Sequence, residues 1–490
     1  MIPAHRIFVM ICGVCTAGLL WLLIDRTEFG IRLRAAVDNG DMAESLGIKT
    51  QILFSATFAL AVGLAAFGGV VGAELLPVEP FYALRYMVTF LVVVSVGGAG
   101  SIPGAVAASI LLGLADTTGK YLAPEYSEFF FYLAVILRSS WSCFCSRTAF
   151  WAGDTDVTDR AMVDGMSPPR FSLPIELRAV AITLALGALG YTLFPDDLAF
   201  LTRLISITLL VLSLDLVTGY CGVATLGHAA IYGVSAYVVG NACLAGHSDP
   251  LLLLLVGAVA GAVMGLVSGL LVTRFKGLPQ LVLSIAVGQL IAALANKLSS
   301  LTGGSDGLSG ISPGRLFGIY AFDMYGRTGY VFSVAVLMVV FVVLLRIVHS
   351  PFGLLCQAIK DDSLRARMIG ARVYPRLVLM YGVSGVVGGI GGALNAINTG
   401  VVGLDSVGFE RSAEALVMLV LGGAGSLWGA LIGSIVFQVF EHYVSAANPF
   451  HWMTMVGALL IAVVLFAPKG LVSLGGLLAG RTASVLRWRP

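Results

Sequence analysis

The residues of this chain whose types could do chemistry are few, and their spacing does not serve catalysis. Cys12 and Cys15 have the C-x-x-C spacing but lie inside the apolar run 8–24 with no further ligand nearby, so they read as small hydrophobes rather than a metal or redox site. Gly113-Leu-Ala-Asp-Thr-Thr-Gly119-Lys120-Tyr121 approaches a phosphate-binding loop, yet it has five intervening residues instead of four and Tyr where Ser or Thr would hold magnesium. No Ser/His/Asp triad, paired carboxylate or metal cluster stands out. The chain is therefore not expected to be an enzyme, to carry its own ATPase or to need a cofactor or metal. What remains are polar residues inside apolar runs: Asp215, His228, Gln289, Asn296, Asn395 and Asn398. Each costs free energy in hydrocarbon unless it faces protein or water. The pathway candidates are Gly227 and His228, Gly303 and Gly304, Gly422 and Gly423, Asn395 and Asn398. For Asp215 and His228 a helix end near the interface and a part in gating both stay open. His228 sits in a glycine-flanked bend, which favours a structural hydrogen bond.

The elements that position these residues follow from composition. Of 490 residues, 58% are hydrophobic and 11% charged, against about 45–50% and about 25% in soluble domains. A soluble enzyme is excluded, and a net charge of +2 gives no reason to expect nucleic acid as a partner. Apolar runs of spanning length occur at 8–24, 52–75, 177–194, 203–219, 229–245, 250–273, 279–299, 329–347, 376–398 and 452–467, with shorter or interrupted ones at 87–115, 129–140 and 412–440. In a bilayer such runs are helices, since every backbone group must be satisfied within its own segment. The reading is an all-α polytopic membrane protein with about 11–13 crossings. The first run leads into Asp25 and Arg26, not into a small-residue cleavage site, so it is not a signal peptide.

Basic residues fix the orientation. Arg26, Arg32, Arg34 and Lys49 form one cluster, Arg274 and Lys276 a second, and Lys360, Arg365, Arg367, Arg372 and Arg376 a third, with Lys469, Arg481, Arg487 and Arg489 in the tail. All belong on the cytoplasmic side. A single crossing over 412–440 would put the tail outside. The interruption Gly422-Gly423-Ala424-Gly425-Ser426 solves this if two half-helices meet there and enter and leave on one face, a discontinuous element of the kind found where backbone is buried in protein or lines a wet cavity. Gly257, Gly261, Gly265 and Gly269, with Gly385/Gly389 and Gly388/Gly392, read as helix-packing seams.

The chain contains a duplication. Residues 27–49 align without gaps on 350–372 at an offset of 323, with Phe29/Phe352, Gly30/Gly353, Ala35/Ala358, Asp38/Asp361, Ala43/Ala366 and Gly47/Gly370 identical. At an offset of 325, Gly97-Gly98-Ala99-Gly100-Ser101 matches Gly422 to Ser426. Residues 1–140 thus form a half unit, 141–176 a polar linker or fusion joint, 177–475 a whole unit and 476–490 a basic tail. After Phe-Gly the repeated segment is expected to form a cytoplasmic helix on which Ala35, Asn39, Ala43 and Gly47 recur every four residues, as do Ala358, Asp362, Ala366 and Gly370. That spacing lines up a narrow face of small residues. Arg34, Asp38, Asp41 and Glu44, and Lys360, Asp361, Arg365 and Arg367, hold the other faces. Such a helix is suited to dock into a groove on a cytoplasmic partner and pass rigid-body motion to the spans.

Segments 29–48 and 352–371 resemble the cytoplasmic coupling loop of bacterial branched-chain amino acid ABC importer permeases. Gly219-Tyr220-Cys221-Gly222, Leu226-Gly227-His228-Ala229-Ala230, Gly233-Val234-Ser235-Ala236-Tyr237 and Thr302-Gly303-Gly304-Ser305-Asp306-Gly307 are similar to the pattern of the M-type subunit, LivM, over 177–475. Residues 8–140 are similar to the C-terminal half of the H-type subunit, LivH. Thr225 and Ser235 depart from the family's usual Ser and Gly. The resemblance implies a multi-pass permease of the bacterial inner membrane that translocates branched-chain amino acids. Its implied partners are two cytoplasmic ATPase subunits, a periplasmic binding protein and a further permease chain supplying the H-type half. A urea or short-chain amide permease shares these motifs. A secondary transporter would need no ATPase groove and would carry an acidic relay in its spans.

Overall fold

The computed structural model describes residues 4–73, 82–98, 100–122, 132, 135–136, 173–322, 326–467 and 470–472. The joint at 141–172, most of the apolar run 129–140 and the tail 476–490 lie outside the described residues. The chain divides into two compact units, 1–127 and 128–490. Among the described residues there is no strand, only the isolated bridges Leu308–Val402 and Leu316–Tyr320. The protein is an all-α, multi-pass membrane protein: among the described residues nine helices are long and apolar enough to cross a bilayer, and four shorter ones are apolar.

Among the described residues the first unit has six helices: α1 (Ala4–Arg26), α2 (Glu28–Asp38), α3 (Gly40–Ser45), α4 (Thr50–Gly72), α5 (Tyr82–Gly97) and α6 (Ile102–Leu122). The second holds α7 (Leu173–Leu193), α8 (Leu198–Leu214) prolonged by a π-helical turn Asp215–Tyr220, α9 (Ala229–Leu244), α10 (Pro250–Val272) and α11 (Leu278–Lys297). It continues with α12 (Arg327–His349), α13 (Pro351–Asp361), α14 (Ser363–Met368), α15 (Val373–Thr399), α16 (Phe409–Gly422), α17 (Leu427–Ala447) and α18 (Trp452–Phe466).

In the second unit α15 is the axis, packed against α8, α9 and α10. Hydrocarbon supplies no hydrophobic drive between helices, so close backbone approach through small residues must hold them. The glycine ladder of α10 does this. A Cβ at Gly257 would lie 2.6 Å from that of Ala393, one at Gly261 would overlap the Gly385 carbonyl oxygen, and one at Gly269 would lie 2.7 Å from the Tyr381 Cβ. The second stripe on α15 serves other neighbours: Gly392 is pressed on the Tyr232 carbonyl of α9, and a Cβ at Gly388 would lie 3.2 Å from the Ser213 hydroxyl of α8.

The break at 423–426 is present, but its arms are unequal. With 14 residues α16 is about 21 Å long, whereas the 21 residues of α17 reach about 31 Å, enough to cross a core of about 30 Å. The pair is thus one full span and one short arm, not two half-helices. The chain turns back at the level of α13, where the Gly425 amide meets the end of α8. Gly423 (φ +109°) and Gly425 (φ +89°) supply the left-handed backbone of the turn.

Candidate functional site

The repeated segment folds twice in the same way, and differently from the single helix expected. Thr27 and Ser350 cap α2 and α13, their hydroxyls accepting from the amides of Gly30 and Gly353 at 3.5 and 3.3 Å. Each helix then stops at Asn39 or Asp362, whose backbones are extended at φ −151°, ψ 97° and φ −153°, ψ 98°. The side chain at each break starts the next helix: Asn39 Oδ1 accepts from the Met42 amide at 3.0 Å, Asp362 Oδ1 from those of Leu364 and Arg365 at 2.9 and 3.1 Å. Asn and Asp compete with the helix for backbone donors and favour caps, so period-four counting runs through a residue that breaks the period. No continuous face of small residues results. Ala35 and Ala358 are exposed, while Ala36, Ile359, Ala43 and Ala366 are buried.

The other repeated positions also correspond. Gly30 and Gly353 press on the carbonyl oxygens of Ile24 and Ile347, leaving no room for a Cβ. Gly47 (φ +85°) and Gly370 (φ +92°) end the segments. Phe29 and Phe352 pack inward, while Asp38 and Asp361 are exposed. Arg34 turns back to Asp25 at 2.9 Å and to the Ile24 carbonyl at the end of α1 at 3.1 Å. The second repeat matches too: Gly98 (φ +90°) and Gly100 (φ +90°) stand where Gly423 and Gly425 do, and the Ser101 and Ser426 hydroxyls accept from the amides of Gly104 and Gly429 at 3.1 and 3.3 Å.

In the second unit α13, the π turn and the broken hairpin meet at one point. The Lys360 ammonium, on the last turn of α13, donates to the Gly219 carbonyl at 2.6 Å. Asp215, fully buried at the start of the π turn, accepts from the Gly425 amide at 2.7 Å. Tyr220 Oη accepts from the Leu427 amide at 3.2 Å. A Cβ at Gly219 would overlap the Asp215 carboxylate and the Gly425 nitrogen, so only glycine permits the join. A π turn carries one residue too many for the α-helical ladder and leaves backbone groups free for such contacts. Asp215 and Lys360 lie far apart in the chain, and no local spacing links them. The rule that a buried membrane carboxylate needs a named partner was the signal that could have joined them.

Beside this join lies a cavity of about 670 Å³ lined by Arg274, Lys276, Lys360, Asp361, Asp362 and Arg367, among others. Lys276 bonds the Ser363 hydroxyl, and Tyr374 Oη accepts from Arg274 at 3.3 Å.

The pathway candidates do not gather in one place. His228 is 1% exposed, its Nε2 within 3.1 Å of the Ser213 and 2.9 Å of the Ser384 hydroxyl, so it bridges α8 and α15. Gly227 abuts the Ser284 carbonyl of α11. Gly303 (φ +74°) and Gly304 (φ +61°) form a turn that leads to the Leu308–Val402 bridge. Gly422 abuts the Gly429 carbonyl, within the α16–α17 hairpin. Asn398 donates to Ser333 at 3.0 Å, between α15 and α12. Asn395 lines a cavity of about 240 Å³ that also includes Arg203 and Arg411, two residues absent from the sequence-based candidates.

The family model described as "Branched-chain amino acid transport system / permease component" matches residues 1–138 and 198–464. The high-affinity branched-chain amino acid transport system permease protein LivM of Escherichia coli K12 is 26% identical over 343 residues, 63% of this chain and 79% of LivM. The corresponding LivH of Salmonella typhimurium is 23% identical over 279 residues, 54% of this chain and 90% of LivH. LivH of Escherichia coli K12 is 30% identical over 120 residues, 24% of this chain and 39% of that protein. No solved structure matches.

Proposed function

Because the chain belongs to the branched-chain amino acid transport permease family, we propose that it is the membrane-spanning subunit of an ATP-driven importer of branched-chain amino acids in the bacterial inner membrane. Two cytoplasmic ATPase subunits, a periplasmic binding protein and a further permease chain complete the transporter, and the ATP is consumed by the separate ATPases.

One observation supports this reading: α13–α14 is a capped bracket whose Lys360 bonds the π turn that prolongs α8, and that turn in its own right bonds the broken hairpin through Asp215 and Tyr220. The bracket lies on the face that carries the basic loops, the cytoplasmic face by charge. Its exposed residues, Asp361, Arg365 and Arg367, present both signs of charge to a partner. Closure of the ATPases pushes α13, Lys360 pulls on the π turn, and the Gly423–Ser426 turn moves with it, so a displacement at the docking groove becomes a rigid-body rearrangement of spans.

The test is uptake by vesicles holding the purified complex. Leucine accumulation that requires both ATP and the binding protein is the expected result. Accumulation under an ion gradient with neither would make the protein a secondary carrier, and uptake of urea in place of leucine would move it to the amide-transporting branch.

A further inference from the structure

The second unit has a recess at the end remote from α13 whose lining differs in kind from the rest of the spans. It holds about 240 Å³, below the roughly 300–1,000 Å³ of pockets for drug-sized ligands, so it suits one small solute. Its lining includes Arg203 of α8, Arg411 of α16, Asp405, Asn395, Tyr232 and Ile207. Arg411 is held by Glu414 at 2.8 Å and reaches Asp405 only at 3.5 Å, with its own side chain 16% and that of Asp405 69% exposed. Arg203 makes no ion pair within 4 Å among the described residues, although Glu441 acts on it and on Arg411 through space, and Tyr232 is 2% exposed beside both arginines.

The helix α16 is about 10 Å shorter than α17, and Arg411 in its first turn is largely buried. The loop that roofs the recess is braced by the paired Leu308 and Val402 backbones, at 2.9 Å in both directions. Charges so placed are costly in hydrocarbon and mark a polar route by default.

We propose that this recess is an entry site for a zwitterionic α-amino acid with a small aliphatic side chain. Arg411 and Arg203 receive the carboxylate, guanidinium forks matching carboxylate geometry. Asp405 takes the ammonium, and the long Arg411–Asp405 pair opens to admit the ligand between them. Asn395 and the Tyr232 hydroxyl supply neutral hydrogen bonds, and Ile207 with the Tyr232 ring offers the apolar wall. A ligand lacking either charge would lose one of these two ionic contacts. The assignment rests on the importer reading above and deepens it.

The experiment measures leucine uptake by the full complex in vesicles, with ATP and binding protein, for the natural chain and for Arg411→Gln, Arg411→Lys, Asp405→Asn and Asn395→Leu. Radiolabelled leucine binding to the complex without binding protein is measured alongside. The expected result is at least a tenfold rise in half-saturating leucine for Arg411→Gln and Asp405→Asn, part recovery in Arg411→Lys, and binding that isoamylamine and 4-methylpentanoate, each missing one charge, fail to displace at concentrations where leucine does. Asp405 is exposed in a loop, so its variant decides the matter if Arg411→Gln does not fold. Half-saturation within twofold of the natural chain in Asp405→Asn, or displacement by either singly charged analogue as effective as by leucine, overturns the site. Absence of ATP-dependent leucine uptake in the natural chain overturns the importer reading instead, which keeps the two failures apart.

Discussion

The Lys360 ammonium donates to the Gly219 carbonyl across 2.6 Å, binding the last turn of α13 to the end of the π turn that prolongs α8. The stem of Lys360 packs on Gly222, where a Cβ would lie 2.9 Å from Cγ. Charge, stem and glycine thus act together, and the contact has the form of a mechanical joint. Position 37, which matches Lys360 at the offset of the repeat, is Val, so the joint is a property of the second copy.

Replacing Lys360 by Met keeps the stem and removes the donor. A hydrogen bond to a charged group is worth about 1.5–3 kcal/mol, and the partial exposure of this one puts it at the lower end. Transport in Lys360→Met is expected to fall about tenfold, since 1.4 kcal/mol is a factor of ten, while ATP hydrolysis by the complex continues. Parallel uptake and phosphate-release rates check this, and equal losses in both would remove the joint from the mechanism.

Gly219 admits no side chain, because a Cβ there overlaps the Asp215 carboxylate and the Gly425 nitrogen. Gly219→Ala breaks the buried bond between them and leaves a carboxylate and an amide unsatisfied, at about 1–3 kcal/mol for each group. The purified chain should unfold at clearly lower temperature than the natural one. An unchanged melting curve would mean that Asp215 and Gly425 do not meet.

Much of this architecture is legible before any coordinates. Spans follow from apolar length, the glycine seam of α10 from its spacing, and the equivalence of 27–49 and 350–372 from identities that the matching caps, breaks and glycines then give a physical reason. What could not be read were the contacts set by three-dimensional approach. Asn39 and Asp362 fit a period-four stripe on paper and end a helix in space. Lys360 and Asp215 are far apart in the chain, and Arg203 and Arg411 lie at the edges of apolar runs, where charges ordinarily belong to the interface.

The seam between α10 and α15 predicts a steep size dependence. Gly261→Leu forces apart backbones that touch at Gly385 and is expected to abolish accumulation of folded protein in the membrane. Gly13→Leu, with nothing within 4 Å, should accumulate normally. Gel filtration of detergent extracts distinguishes the two, and equal yields would contradict the seam.

At the break in the bracket, Asp362→Ala removes acceptors for two amides and should cost about 1 kcal/mol of local stability, whereas Asp362→Asn retains most of it. Hydrogen exchange over residues 363–368 should quicken in the first variant and little in the second. Similar exchange in both would mean that Asp362 is no cap.

The central claim is that α13–α14 receives work from an ATPase, and cross-linking tests it most directly. A cysteine at the exposed position 361, in a chain whose other cysteines are replaced, should couple to an ATPase subunit in the purified complex, with a yield that changes between the ATP-bound and nucleotide-free states. A complex that hydrolyses ATP and takes up leucine, yet forms no such cross-link in either state, would contradict the account.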